Sequence, residues 1–268
     1  SIRKGGEMLA KGFDKLGWHW WAGDTAISSV PYDGRQPDNG GFMRSLASTD
    51  LTFWPRALQL GAKLETFARV REIQVDRSGR ATGVLYYGAD GNLHEQRAKA
   101  VVLACNGIGT PRLLLHSTSS LFPDGLANSS GLVGKNLMHH PAGVVVGIFD
   151  EWLGTEDDGP RGSTMLSQEF YESDTSRGFV RGYDLQITAL GSSPLATALG
   201  GLSGQGVPWG EGHHEIFDQR FGHYTAIVVM TEDLPEEHNL VFLDPELTDS
   251  NGIPAVKTQY TLLSLIHI

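Results

Sequence analysis

The chain has 268 residues, 40% of them hydrophobic and 19% charged, enough to bury a sizeable core in one large or two smaller domains. A formal net charge of −10 argues against a nucleic-acid partner, because phosphate binding needs a positive footprint. The longest apolar runs are far too short to span a bilayer, and the single cysteine, Cys105, excludes an internal disulfide and any cysteine-built metal site.

In chain order, the N-terminus has no apolar signal-peptide core and no initiator methionine, so the chain is expected to begin inside something longer. "GWHWWAGDTAI" places Trp18, Trp20 and Trp21 together and reads as a core or interface plug. "VPYDGRQPDNGGF" is rich in turn formers. "STDLTFWPRALQLG" predicts a short helix, capped by Asp50 or Thr52 and stopped by Gly61.

From Lys63 three runs rich in β-formers follow, "KLETFARVREIQVD", "RATGVLYYG" and "LHEQRAKAVVLA", separated by the turns "RSG" and "ADGN". They predict an antiparallel meander whose last run ends in "AVVLA", an apolar stretch expected as a buried parallel strand. The turn "CNGIG" then leads to a helix expected to start at Pro111, with Thr110 as N-cap. Backbone N–H groups at such a helix start favour an anion, and glycine allows close approach. The dinucleotide fingerprint would need glycine at Arg112 and a suitably placed acidic residue, and Asp124 lies in a turn instead. On the residues alone, the turn is either an anion site or a bare strand-to-helix connector.

Downstream, "AGVVVGIFDE", "RGYDLQITAL", "HYTAIVVMTEDL", "NLVFLD" and "PAVKTQYTL" predict strands, and "SPLATALGGL" a short helix. "HHEIFDQRFGH" lacks the second histidine of a zinc helix at Asp218, and "GLSGQG" lacks the last glycine of a nucleophile elbow at Gln205. His139 and His140, before Pro141, are either catalytic or structural. The composition changes near Pro141, which is the expected domain boundary.

Three blocks resemble the glucose–methanol–choline (GMC) family of flavoprotein oxidoreductases. "ARVREIQVDRSGRATGVLYY…AKAVVLACNGIGTPRLLLHS" is similar to the family's meander and second signature, and "GLVGKNLMHHP" to its "VGRNLxDHP". "EDLPEEHNLVFLDPELTDSNGIPAVKTQY" resembles the opening of its C-terminal region. Within the family, "GWHWWAGDTAI" and "FDQRFGH" look most like the branch of gluconate- and fructose-dehydrogenase-type large subunits.

The resemblance implies a mixed α/β fold. Residues 1–141 would form part of an FAD-binding domain, with antiparallel meander and parallel strand, and 142–268 a substrate domain on a largely antiparallel sheet. It implies FAD as cofactor, approached by Val70 through its backbone and by Ala104, Cys105, Asn106 and Gly107, with Thr110 at the signature's serine. The implied reaction is oxidation of a CH–OH group of an alcohol or sugar, with hydride passing to the flavin and the electron acceptor left open.

The family's glycine-rich βαβ unit and its catalytic histidine block have no match here, so an inactive fragment without catalytic residues of its own is expected. The related branch often carries a cysteine cluster before "STD", which this sequence lacks. The closing "LLSLIHI" reads as a foreign scar. A non-catalytic binding or structural protein derived from a flavoprotein fold is the alternative.

Overall fold

The computed structural model describes residues 2–24, 47–155, 163–178, 181–188, 193–200 and 207–262. The loop around 30–42, "GLSGQG" at 201–206 and the closing segment from 263 onward lie outside the described residues. In chain order the elements are α1 (Arg3–Leu16), β1 (Trp21–Ala22), α2 (Thr49–Thr52), α3 (Trp54–Gln59), β2 (Arg69–Val75), β3 (Ala81–Tyr87), β4 (Leu93–Arg97) and α4 (Asn106–His116). There follow β5 (Ala142–Ile148), β6 (Ser163–Ser167), a 3₁₀ turn at Thr175–Arg177, β7 (Tyr183–Thr188), α5 (Pro194–Ala198) and α6 (His213–Arg220). The last three strands are β8 (Tyr224–Thr231), β9 (Leu240–Thr248) and β10 (Pro254–Gln259).

The described residues form two compact units, the first from within 1–61 and 140–232, the second from 62–139 and 233–262. One crossing between units, at His139 and His140, lies beside the expected boundary. The chain also crosses at Gly61–Ala62 and at Glu232–Asp233.

The first unit is a five-stranded sheet of order β1-β6-β7-β8-β5, antiparallel throughout. Helix α1 packs on it. The sequence reading did not foresee this helix, although Leu9, Ala10 and Phe13 have helical spacing and Gly17 follows its end. Gly17, at φ 73°, closes α1: its N–H reaches the Asp14 carbonyl, and the Trp18 N–H reaches that of Phe13. Phe13 and Ala10 then meet Met165, Leu185 and Ile187 in the core. Trp18 stacks edge-on between Phe13 and Phe170, and Trp20 bonds Asp14, so these two tryptophans do plug the core. Trp21 stays 40% exposed.

In the second unit β2, β3 and β4 form the expected meander, with Gly79 and Gly91 at positive φ in its two turns. A separate antiparallel hairpin of β9 and β10 completes the sheets. The parallel strand expected at "AVVLA" is not there. Residues 101–104 have no ladder partner among the described residues, and Val102 is 87% exposed. A strand is defined by its neighbours' hydrogen bonds, which an apolar run cannot supply alone.

The expected start of the next helix is also corrected. Helix α4 begins at Asn106, so Thr110 lies inside it rather than capping it, and Pro111 is internal. Asn106 takes the left-handed φ of 63°, which asparagine tolerates, and opens the helix five residues before the proline. The helix "STDLTFWPRALQLG" appears as two short pieces, and the first is preceded by Ser48 rather than capped by Asp50 or Thr52.

Candidate functional site

The expected cofactor residues all fall in the second unit. Ala104, Cys105, Asn106 and Gly107 are exposed at the start of α4, and Thr110 is half-buried one turn further. Val70 lies near the start of β2, opposite Tyr86, just before a bulge at Glu72. The Gly107 N–H is taken by Asn106 Oδ1 at 2.5 Å. The remaining first-turn N–H groups of α4 have no acceptor outside the helix among the described residues, so they are available to an anion.

Glycine at 107 is not explained by the chain itself. Its φ is not positive, and a Cβ there would meet no described atom within 4 Å beyond its own helix turn. Gly109 differs, since its Cβ would stand 3.0 Å from the Cys105 Cβ. Gly107 and Thr110 border an open depression of about 350 Å³ whose other wall is the 133–138 segment. That wall is held by the start of β9: the Val241 N–H reaches the Gly134 carbonyl at 2.7 Å, and the Leu137 N–H reaches that of Asn239 at 2.8 Å. The residues present therefore fit a phosphate-bearing cofactor at the α4 start, with free donors, an open glycine and adjoining space.

Two fasteners join α4 to β2. Ser117, at the end of the helix, accepts the Ile73 N–H at 3.0 Å and donates to the Leu113 carbonyl at 2.7 Å. Arg112, read from sequence as a failed glycine, is the second. Its guanidinium reaches Asp249 Oδ2 at 2.9 Å and the Pro254 carbonyl at 2.7 Å, and Arg69 reaches the same Asp249 oxygen at 2.6 Å. Burial pushes the Asp249 carboxyl up, but the Asn251 N–H, Arg112, the Ile253 N–H and Arg69 outweigh it and bring it down to about 2. Nearby His116 has a buried Nε2 without a hydrogen-bond partner among the described residues, and burial, reinforced by Arg71, holds its pKa below the usual value.

His139 has a structural part. Its backbone N–H donates to Asp233 Oδ2 at 2.9 Å, and its ring meets Tyr260 edge-on at 4.6 Å. The Tyr260 hydroxyl donates to the same carboxylate oxygen at 2.6 Å. Burial, then Asp233, push the Tyr260 phenol up to about 12. Sequence reading missed Asp233, Asp249 and Ser117. Only Asp249 carried a signal, the turn-forming "TDSNG". In the first unit "HHEIFDQR" forms α6, and the His213 ring stacks on Trp209. No helix among the described residues is long and apolar enough to cross a membrane.

Among known proteins, the chain is 42% identical to 2-methyl-1,2-propanediol dehydrogenase of Mycolicibacterium austroafricanum, over 95% of this chain and 47% of that protein. It is 31% identical to the fructose dehydrogenase large subunit of Gluconobacter japonicus, over 92% of this chain and 45% of that one. The chain thus spans about half the length of these curated relatives. A formate oxidase crystal structure aligns with 70% of this chain and 38% of its own, at 17% identity and a TM-score of 0.46. The family model described as GMC oxidoreductase matches residues 7–142. The chain belongs to the GMC oxidoreductase family, whose N-terminal domain binds FAD.

Proposed function

We propose that the protein oxidises a CH–OH group of an alcohol or sugar with FAD, and that this chain supplies the adenosine side of the cofactor site. The observation that carries the reading is Gly107. A helical glycine costs roughly 0.5–1 kcal/mol relative to alanine, yet neither backbone nor packing requires one here. What remains is an outside group that must come close, at the end of a helix whose N–H groups suit a diphosphate. Ala104, Cys105, Asn106 and Gly107 would hold it through backbone, with Val70 toward the adenine and Thr110 beside the depression. When bound, FAD supplies a hydride acceptor for the CH–OH carbon.

The substrate class rests on the relatives, which are named for a diol and for fructose. The chain as it stands should hold FAD weakly, since it spans about half of those proteins. The test is to express the protein through its flanking coding sequence and follow the visible flavin absorbance anaerobically. Bleaching by 2-methyl-1,2-propanediol, by fructose or by a related alcohol is the expected result. A purified protein of that length with no flavin, or a flavin that no alcohol or sugar reduces, would overturn the proposal.

A further inference from the structure

We infer that Asp249 is a positioning residue for the cofactor site: its carboxylate fixes how far the α4 start stands from the β2 start. The importance of this spacing rests on the cofactor reading above, which assigns the 104–110 turn and Val70 to the same ligand.

Ser117 joins the C-terminal end of α4 to Ile73 in β2, and buried Leu113 packs near that same end, so the turn end of the helix needs a joint of its own. The turn at Cys105 lies about twelve residues away along the helix, or roughly 18 Å at 1.5 Å per residue. A tilt of about 10° at the Ser117 end would move it by roughly 3 Å over that helical length, enough to spoil a backbone cradle. Asp249 supplies the second fixed point. One oxygen receives Arg69, the neighbour of Val70, and Arg112, in the middle of α4.

The rest of the loop makes Asp249 a rigid post. Its other oxygen accepts the N–H groups of Asn251 at 2.9 Å and Ile253 at 3.1 Å. Arg112 also bonds the Pro254 carbonyl through Nε at 2.9 Å. The side chains of Asp249 and Arg112 are about four-fifths buried, so water competes weakly for their contact, while the Arg69 arm is half-exposed on its own side. A salt-bridged surface pair would not have this bracing.

The experiment uses the sole thiol, Cys105, as one spin-label site and Val70→Cys as the other, with the distance distribution read by EPR in the full chain. Asp249→Asn, which keeps the turn acceptor but removes the charge, should widen the distribution at least about twofold, and Asp249→Glu should recover part of the width. Asp244→Asn is the control for a lost ion pair in the same hairpin, since Asp244 is paired with Lys257 and with neither arginine, and it should leave the distribution as in the parent. If Asp249→Asn fails to fold, Arg69→Gln removes the β2 arm alone and should still widen it. A width unchanged in Asp249→Asn, or in Arg69→Gln where that variant stands in, overturns the inference. A widened distribution with unaltered FAD dissociation in the longer protein supports the post and contradicts the cofactor reading.

Discussion

The two units reach stability by different routes. The first has a contiguous apolar cluster under its sheet, with Met165 and Ile187 fully buried. The second buries few large apolar side chains, chiefly Ile73, Leu113, Val241 and Ile253, and relies on buried polar fasteners such as Ser117, Asn239 and Asp244. The same contrast separates two apolar runs. "AIVVM" in β8 is hydrogen-bonded on both edges, to β7 and β5, whereas "VVLA" at 101–104 has no partner strand among the described residues. Apolar composition proposes a strand, and only neighbours make one.

The contrast is sharpest in its first consequence. Ile187→Ala should cost about 2–5 kcal/mol by urea denaturation, from lost burial plus a cavity. Val102→Ala should change stability by less than about 0.5 kcal/mol. Equal effects would mean that 101–104 is packed in solution. Next in size is Gly134→Ala, where φ is 86° and a Cβ would collide with the Val241 carbonyl. It should cost about 1–3 kcal/mol and should raise amide exchange at the start of β9 rather than in β7.

Smaller effects follow from pH. Asp249 and Asp244 are held at about 2, below the ordinary 3.8, the latter mainly by Lys257. Their stabilisation is complete above pH 3.8 and is lost as pH falls toward 2. Tyr260 runs the other way: its stabilisation is complete below pH 10 and is lost as pH rises through about 12. Exchange protection in the second unit should therefore fail at both extremes before that of the β7–β8 core, and Tyr260→Phe should remove the alkaline limb. His116 contributes least. Its lowered pKa favours the folded state above pH 6.5 and disfavours it as pH falls below, so His116→Phe should flatten a shallow slope there. Uniform loss of protection across both units would break the comparison.

Much of this was legible in the sequence where the information is local. The meander was, because β-rich runs alternate with turn residues a few positions apart. The two core tryptophans were, by sheer size. Helix α1 was not, because its apolar face gains meaning only against β6 and β7, from far along the chain. The start of α4 was misplaced because proline at a first helical position is a strong signal, while Asn106 could offer an earlier left-handed start. Arg112 was read only as a missing glycine, since its partner Asp249 lies 137 residues away. The cofactor turn was legible as a turn of the right type, and the openness around Gly107 needed the backbone in three dimensions.

The central claim is that the 104–110 turn receives FAD through its backbone. The most direct measurement is flavin content and dissociation rate in the longer protein for two single variants. Cys105→Ala keeps the same N–H in an exposed position and should leave both unchanged. At Gly107 an added Cβ would meet no described atom beyond its own helix turn, so Gly107→Val should leave the fold standing while the branched side chain blocks the ligand's approach and most flavin is lost. Flavin retained by Gly107→Val and lost by Cys105→Ala would contradict the account.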